Sequence, residues 1–358
     1  MSPSHTRPDP APKGGLPDTM LAWRLVEWGS AAEYVEVPVP RPVGEQVLLR
    51  VDAVGLCHSD LHLMDAKPGD MPFEAPFTLG HEIVGTPVAH GPDAAPATGT
   101  MAVHGVWGCG DCRQCRRGRE NYCLGLSAAI GAGIGRDGGL TDYVLVPSAR
   151  HLVPCGDADP VATAPLTDAG LTAYHALAPH RDVLDGAVVA VLGIGGLGHL
   201  ALQLLTGTDP ALVVAVDPRP QSRQLARDLG ADVALSSVGD ATDLLVRHDG
   251  ADLVLDFVGA PDTLGAVPRL LAAGGTAVIV GSAGGELGVS KKGGLPRGWG
   301  IRAPFWGSRS DLIEVMALAS AGRLHAETET YSMDQTMLAY ERLRAGSIRG
   351  RAVVVPHR

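Results

Sequence analysis

The pattern of apolar and polar positions differs between two regions of the chain. From about residue 20 to 155, segments such as MLAWRLVEWG, YVEVPVP and QVLLRVDAVG alternate apolar and polar residues between prolines and glycines, which predicts short, partly antiparallel strands. From about residue 183, the apolar runs VVAVLG, LVVAVD, DLVLDFVG and GTAVIVG alternate with helical segments such as QSRQLARDLGA. This second pattern predicts β-α-β units around a buried parallel sheet. The expected fold is α/β, with a mainly β domain and a doubly wound domain.

The stretch VVAVLGIGGLG, from Val188 to Gly198, predicts a dinucleotide-binding turn. Gly193 permits the tight turn, Gly195 lets a pyrophosphate approach the backbone, and Gly198 lets the following helix pack closely. After a second apolar run comes Asp217, which would accept hydrogen bonds from the adenosine ribose and repel a 2′-phosphate. The predicted cofactor is NAD, and the alternative is a glycine-rich loop in another kind of α/β protein. The predicted cofactor-binding residues of this region are Gly193, Gly195, Gly196, Leu197, Gly198 and Asp217.

Composition and charge narrow the class of protein. The 358 residues suffice for two domains, and 45% of them are hydrophobic. A net charge of −10 argues against binding to nucleic acid or to an anionic membrane surface. No apolar run approaches the roughly 20 residues of a membrane span. Residues 1–19, rich in proline and glycine, have no apolar segment and predict a disordered extension rather than a secretory signal. The expected location is the cytoplasm.

Four of the six cysteines are closely spaced, in the segment 107–125. Cys109, Cys112, Cys115 and Cys123 have the spacing of thiolates that turn onto one ion, and four of them satisfy tetrahedral zinc. Such a closed site is structural and contributes folding free energy. An iron–sulfur cluster and reduced, metal-free thiols are the alternatives. A disulfide is unexpected in a reducing cytoplasm.

The fragments CHSDLH, GHEIVG, the four-cysteine lobe, LTDAGLTAYHA, GIGGLG and SIRGRAVVVP occur in one order along the chain. Together they resemble the zinc-dependent medium-chain alcohol dehydrogenases, and are most similar to bacterial NAD-dependent secondary-alcohol enzymes. The resemblance implies a GroES-like catalytic domain at 20–175 and 310–358, with the lobe at 107–125. It implies a Rossmann NAD-binding domain at 176–309.

The resemblance also implies a catalytic zinc site. Cys57, His81 and Asp168 match the three protein ligands of that zinc, and a fourth position stays open for substrate. Glu82 matches a neighbouring carboxylate, which approaches the metal transiently or acts on it through intervening groups. Asp60 would orient His81. With the four-cysteine site, the implied content is two zinc ions per chain.

Further roles follow from the same resemblance. Ser59 matches the hydroxyl beside the substrate oxygen, and His62 matches the last histidine of a proton relay through the cofactor ribose. Some similar secondary-alcohol enzymes carry an aromatic residue at the position of His62. Thr172 would line the nicotinamide, and Arg349 would reach the pyrophosphate. The implied substrate-pocket residues are His58, Phe73 and Trp306.

The implied activity is hydride transfer between NAD(H) and secondary, or some primary, alcohols or the matching ketones and aldehydes. A polyol, aldehyde-specific or biosynthetic reductase of the same family is the first alternative. A catalytically idle protein that senses NAD(H) or binds a partner is the second. The expected partners are a small-molecule alcohol or carbonyl compound and other copies of the chain, in a homodimer or homotetramer.

Overall fold

The computed structural model describes residues 15–126, 129–289 and 296–357. Most of the expected N-terminal extension, residues 1–14, lies outside these ranges. The first strand begins at Thr19, which pairs with Pro38 in an antiparallel ladder. This pairing corrects the expected end of the extension at residue 19, because Thr19 is already part of a sheet.

Strands dominate the first half of the described chain, whereas strands and helices alternate in the second half. The strands are β1 (Thr19–Leu25), β2 (Glu33–Pro38), β3 (Val47–Leu56), β4 (Phe77–Thr78), β5 (Glu82–His90), β6 (Met101–Val103), β7 (Gly131–Ala132), β8 (Gly135–Arg136), β9 (Tyr143–Val146), β10 (Leu152–Pro154), β11 (Val188–Leu192), β12 (Leu212–Val216), β13 (Val233–Leu235), β14 (Ala251–Asp256), β15 (Leu271–Ile279), β16 (Gly300–Arg302), β17 (Thr328–Tyr331) and β18 (Arg351–Val354). The helices are α1 (His58–Asp65), α2 (Pro160–Thr163), α3 (Ala169–Leu177), α4 (Gly198–Leu205), α5 (Pro220–Asp228), α6 (Val238–Val246), α7 (Pro261–Leu270), α8 (Arg309–Ser320) and α9 (Thr336–Arg344).

Strand β3 is the centre of the first domain. It pairs antiparallel with β5, β9 and β18, within a sheet ordered β10-β6-β5-β3-β18-β17. Most of its residues are buried, as expected of an apolar strand covered on both faces. Because β3 ends inside the domain, the residue that follows it, Cys57, is only 7% exposed.

The second domain is built on a six-stranded parallel sheet. Its order is β13-β12-β11-β14-β15-β16, so that the chain runs outward from β11 in one direction and then from β14 in the other. The first strand, β11, is buried from Val189 to Leu192. In such sheets the crevice at the carboxyl ends of the two central strands, where the order reverses, binds the ligand. None of the described helices is long and apolar enough to cross a membrane.

Helix α3 connects the two domains. The expected boundary between residues 175 and 176 falls inside this helix, which packs against α4 of the second domain and against α8. Helix α8 also packs on β10, and β17 and β18 join the sheet of the first domain. The chain therefore leaves the first domain through α3 and returns to it through α8.

Candidate active site

The glycine-rich turn lies at the carboxyl end of β11. Gly193 has φ +85°, a left-handed conformation that suits a residue without a side chain. A Cβ at Gly198 would overlap the carbonyl oxygen of Gly193, so this position needs glycine for close packing of α4 on the turn. Helix α4 begins at Gly198 with Leu197 as its N-cap residue. Its first N–H groups thus face the crevice, where they favour an anion.

Asp217 ends the neighbouring strand and contacts the same turn. It is 2% exposed, and its carboxylate accepts hydrogen bonds from the backbone N–H of Ile194 at 2.9 Å and from Arg219. Burial raises the pKa of Asp217, but the bonds from Arg219 and Ile194 outweigh that effect and lower it overall. Asp217 is therefore an anion next to the dinucleotide turn.

Four side chains from separate parts of the chain meet below this crevice. One ligand atom each from Cys57, His81, Glu82 and Asp168 lies within 4.8 Å of the others. The Asp168 Oδ2 atom is 3.7 Å from Cys57 Sγ and 3.6 Å from His81 Nε2. Ligand atoms on a tetrahedral zinc are about 3.3–3.8 Å apart, because the bonds to zinc are about 2.0–2.3 Å long. The donor set and its spacing fit a zinc ion.

Asp60 orients the histidine of this set. The Asp60 carboxylate accepts the backbone N–H of Cys57 at 3.0 Å, and its other oxygen lies 3.1 Å from His81 Nδ1. This contact leaves His81 Nε2 directed toward Asp168 and the metal position. Burial lowers the pKa of His81, but the Asp60 and Asp168 carboxylates outweigh burial and raise it overall.

Glu82 connects the metal site to the dinucleotide turn. One of its oxygens accepts a hydrogen bond from Arg351, and the other is buried without a hydrogen-bond partner among the described residues, so it is available as a metal ligand. Burial raises the pKa of Glu82, and the Arg351 guanidinium opposes that rise. The same guanidinium packs against Gly196. Arg351 therefore touches both halves of the site.

Arg349 is exposed, and its backbone N–H donates to Glu329 at 2.8 Å. Its contact with the pyrophosphate stays a prediction. Arg351, which is 3% exposed, lies against Gly196 of the glycine turn. Gly350, with φ +75°, turns the chain between the two arginines and directs only the second one inward.

Of three further predicted residues, two contact the metal cluster. Thr172, on α3, donates its hydroxyl to Asp168 Oδ1 at 3.1 Å, so it holds a ligand in place. The Ser59 hydroxyl lies 3.6 Å from Cys57 Sγ. His62, in the last turn of α1, is exposed to solvent.

Of the predicted pocket residues, Trp306 lies beside the metal cluster, and the roles of Phe73 and His58 in the pocket stay predictions. The Trp306 ring meets the His81 ring edge-on, with centroids 5.4 Å apart. A Cβ at Gly105 would be 2.5 Å from the Trp306 ring, so only glycine leaves room for it. Phe73 instead packs with an aromatic pair, Trp28 and Phe77.

The positive charges around His58 belong to residues on the cofactor side of the crevice, and its assignment to the substrate pocket stays a prediction. Partial burial lowers the pKa of His58, and the positive charges of Arg351, His62 and Arg219 lower it further. Arg219 lies beside Gly195, as Arg351 lies beside Gly196. His58 therefore has cationic neighbours that belong to the dinucleotide turn.

The four cysteines of the lobe form a second metal-sized cluster. Cys112 Sγ is 3.6 Å from Cys115 Sγ and 3.9 Å from Cys123 Sγ, and the Cys109 and Cys115 sulfurs are 3.9 Å apart. These distances are close to the sulfur spacing of tetrahedral zinc and leave no room for a cluster of several metal atoms. Backbone N–H groups of residues 115 and 124 lower the pKa of Cys112 to about 6, which favours the thiolate that binds metal.

Sequence reasoning missed two residues that the structure brings into the site region. One is Arg351: the sequence pattern pointed to Arg349, two residues earlier in the chain, and gave no role to Arg351. His175, assigned no role, lies 2.8 Å from Asp311 and 2.9 Å from the Tyr122 hydroxyl. Nothing in the local sequence of His175 points to these partners, because both are distant in the chain.

Comparison with known proteins agrees with this geometry. The family model of the alcohol dehydrogenase GroES-like domain matches residues 44–157, and that of the zinc-binding dehydrogenases matches residues 196–321. A protein described as an NAD-dependent alcohol dehydrogenase, from Sulfurisphaera tokodaii, is 33% identical over 94% of this chain and 100% of its own length.

Solved structures show the same likeness. An alcohol dehydrogenase from Aeropyrum pernix superposes with a TM-score of 0.84 at 33% identity, covering 94% of this chain and 100% of its own. An acetophenone reductase from Geotrichum candidum, solved in complex with NAD, also gives a TM-score of 0.84, at 32% identity over 96% of this chain and 99% of its own.

The fold and the two metal-sized clusters define a two-domain, zinc-binding dehydrogenase that uses a dinucleotide. The chain belongs to the zinc-dependent medium-chain alcohol dehydrogenase family. The expected fold class, reaction class and cofactors, NAD and zinc, are confirmed at the level of the family. The complete ligand set gives no support to the alternative of a catalytically idle protein.

Proposed function

We propose that this protein interconverts small to medium secondary alcohols and ketones, aryl ketones included, with NAD(H). The observation that carries the proposal is the position of Arg351. Its guanidinium binds Glu82 of the metal cluster and lies against Gly196 of the dinucleotide turn. Hydride transfer requires the carbonyl carbon and the nicotinamide to be adjacent. Because Arg351 contacts both the metal cluster and the dinucleotide turn, the two parts of the site are adjacent.

When bound, zinc held by Cys57, His81 and Asp168 supplies a Lewis acid for the substrate oxygen, and NAD supplies the hydride acceptor. Ser59 lies beside the ligand Cys57, where its hydroxyl can exchange a proton with that oxygen. His62 is exposed, so its imidazole can pass a proton to water.

Asp217 supports the choice of NAD over NADP. Its carboxylate is ionised, buried at the end of β12 and already bonded to the turn through Ile194. A 2′-phosphate placed here would face this negative charge. Arg219 and Arg351, which lie beside Gly195 and Gly196 of the turn, supply positive charge where the pyrophosphate would lie.

Trp306 supports a substrate class with a flat or bulky substituent. Its ring edge faces His81, so one wall of the space next to the metal is aromatic and apolar. Such a wall favours an apolar substituent on the carbonyl carbon over a polyol, whose hydroxyls would lack partners there.

The experiment that tests the proposal is a panel of ketones and aldehydes, assayed with NADH and with NADPH, on protein of measured zinc content. We expect turnover of ketones with NADH and two zinc ions per chain. Two zinc ions without turnover of any carbonyl compound would contradict the substrate class. A single zinc ion would contradict the catalytic ligand set.

We further propose a homodimer or homotetramer in the cytoplasm. Among the described strands, β16 pairs only with β15, and Ile301 on it is 39% exposed. An exposed strand edge with an apolar side chain favours pairing with a second copy. All six cysteines are unpaired, as a reducing compartment requires. Light scattering after gel filtration tests the assembly, and a purely monomeric protein would contradict it.

A further inference from the structure

The turn before α8 sets the position of Trp306. Trp306 has φ +53°, an unusual conformation for an aromatic residue, which persists only where the surroundings hold it. Its indole Nε1 donates to the carbonyl of Thr167 at 3.3 Å, directly before the ligand Asp168. The carbonyl of the next residue, Gly307, accepts a hydrogen bond from His104 Nε2 at 2.9 Å.

Two of the other bonds to this turn come from the four-cysteine lobe. Asn121 Nδ2 donates to the carbonyl of Phe305 at 2.9 Å, one residue before Trp306. Glu120 Oε1 accepts the backbone N–H of Arg309 at 3.0 Å, at the start of α8. The lobe thus holds the turn on both sides of the tryptophan.

The next residue of the lobe extends this contact to the helices. The Tyr122 hydroxyl is 2.9 Å from His175 Nε2, and His175 Nδ1 is 2.8 Å from the Asp311 carboxylate. Asp311 in turn accepts the N–H of Ser308, the N-cap residue of α8, at 2.9 Å. The first residues of α8 therefore have a fixed position relative to the lobe.

Asn121 is unusual both in its residue type, which is rare in this sequence, and in its position. It is the one asparagine among the 358 residues of the sequence. It is 1% exposed, and its amide bonds a backbone carbonyl 184 residues away. A buried amide without a hydrogen-bond partner costs free energy. The contribution of Asn121 to stability therefore depends on its bond to this turn.

We propose that Glu120, Asn121 and Tyr122 are positioning residues for the substrate pocket. Through the turn at Phe305–Arg309 they hold the Trp306 ring against His81, so that the lobe determines which carbonyl substituents fit beside the metal. This inference rests on the proposed function for its substrate class. It assigns to the lobe a role in specificity in addition to its contribution to folding.

A role limited to folding would have a different signature. Weakening the lobe would then lower the thermal stability and the fraction of active protein, but each active molecule would discriminate between ketones as before. A positioning role alters the discrimination itself, because the wall formed by Trp306 shifts relative to the metal.

The test compares Glu120→Ala with Glu120→Gln in the full-length, zinc-loaded enzyme. Glutamine keeps an oxygen acceptor for the Arg309 N–H, whereas alanine removes it. Gln224→Ala, which removes an amide from the exposed face of α5, is the control for a side-chain deletion far from the pocket. Asn121→Ala gives a second test of the turn, for protein that remains folded by circular dichroism.

Two measurements are made on each variant. Hydrogen exchange of the segment 303–312 reports the anchoring of the turn without any need for activity. We expect exchange in Glu120→Ala and Asn121→Ala to be about tenfold faster than in the wild type, and unchanged in Glu120→Gln and Gln224→Ala. The ratio of kcat/KM for acetophenone to that for butanone reports discrimination, and we expect it to change at least about threefold in the same two variants.

The two readouts separate this inference from the proposed function. Unchanged exchange of the segment 303–312 in Glu120→Ala and Asn121→Ala would overturn the inference, whether or not the enzyme reduces ketones. Faster exchange with an unchanged ratio would also overturn it, since the lobe would then hold the turn without affecting specificity. Failure of the wild type to reduce any ketone would instead count against the proposed function.

Discussion

At the scale of residues, the metal cluster is balanced in charge. A Zn²⁺ held by Cys57 and Asp168 would be neutralised by the two negative charges that these ligands carry when they bind it, and the Arg351 guanidinium lies against the additional carboxylate of Glu82. Such balance matters because unpaired charge is costly in a buried site. The effect that we expect of each variant depends on which charged group it removes.

Removal of Asp168 tests the ligand assignment. In Asp168→Ala the catalytic zinc loses a charged ligand that Thr172 holds in place, so we expect one zinc ion per chain instead of two. Turnover should fall by more than about 100-fold. Zinc content and activity, measured on the same sample, check both expectations.

The control for this variant is Asp182→Ala, at an exposed carboxylate in the connection after α3. It should retain two zinc ions and full activity. A zinc content that stays at two in Asp168→Ala would show that Asp168 is not a ligand.

Replacement of Asp217 tests cofactor choice. In Asp217→Ala the buried anion is gone and Arg219, which it now binds through three hydrogen bonds, becomes free to meet a 2′-phosphate. We expect the preference for NADH over NADPH to fall by about 10- to 100-fold, or about 1.4–2.7 kcal/mol, since a like-charge contact is removed. The ratio of kcat/KM for the two cofactors measures it. An unchanged ratio in the variant would exclude Asp217 as the discriminating residue.

Single residues also show where sequence reasoning reaches its limit. Gly193, Gly198 and Asp217 could be predicted because their spacing is local and each follows an apolar strand. Arg349 and Arg351 could not be told apart, since the turn at Gly350 decides which one points inward. The contact of Asn121 with Phe305 joins residues that no local pattern relates.

At the scale of elements, the four-cysteine lobe contains little regular structure. Its described helical turns are two short 3₁₀ segments, Cys115–Arg117 and Glu120–Tyr122. A loop of this kind buries too little apolar surface to order itself, so its metal supplies much of the free energy of its folding. The cysteine spacing predicted this element well, because the ligands of a closed zinc site lie close together in the chain.

Loss of one lobe ligand tests this dependence. In Cys112→Ser we expect the structural zinc to be lost, the catalytic zinc to remain and the free energy of unfolding to fall by at least several kcal/mol, because zinc binding contributes folding free energy. Zinc content and denaturant unfolding measure the two effects. Cys155→Ala is the matched control, because Cys155 is buried away from both clusters and should keep two zinc ions. Retention of two zinc ions in Cys112→Ser would contradict the four-cysteine site.

At the scale of the whole molecule, buried histidines connect stability to pH. Burial lowers the pKa of His199 to about 4, and burial together with the nearby Arg150 lowers that of His151 to about 3. Both are neutral in the folded protein near pH 5, whereas in the unfolded chain they bind protons below about pH 6.5. The unfolded state then carries more protons, so stability is complete above pH 6.5 and falls as the pH drops toward 4.

The slope of this dependence is the prediction. Each neutral histidine should contribute about 1.4 kcal/mol per pH unit to the loss of stability between about pH 6 and 4.5. In His199→Gln the slope should become shallower by about that amount, whereas His248→Gln, at an exposed position, should leave it unchanged. Denaturant unfolding across this pH range gives the slopes. Parallel curves for His199→Gln and the wild type would refute the assignment.

The two-domain architecture could be predicted because the first part of the chain has alternating apolar residues and the second part has continuous apolar runs. The path between the domains could not. Helix α3 crosses the expected boundary, and its role as a connection depends on its packing against α4 and α8, which no periodicity within it reveals.

The pairing of β18 with β3 has a consequence for biosynthesis. Ala352 lies opposite Leu56, next to the predicted ligand Cys57, so the end of β3 gains its last neighbour only after β18 has left the ribosome. Until then the parallel sheet of the second domain can form on its own, whereas in the first domain β9 covers only the beginning of β3 and one edge of its last residues is unpaired. In a nascent chain that stalls before residue 351, the second domain can therefore be folded while the first domain is incomplete. Such chains are the ones that we expect chaperones to bind.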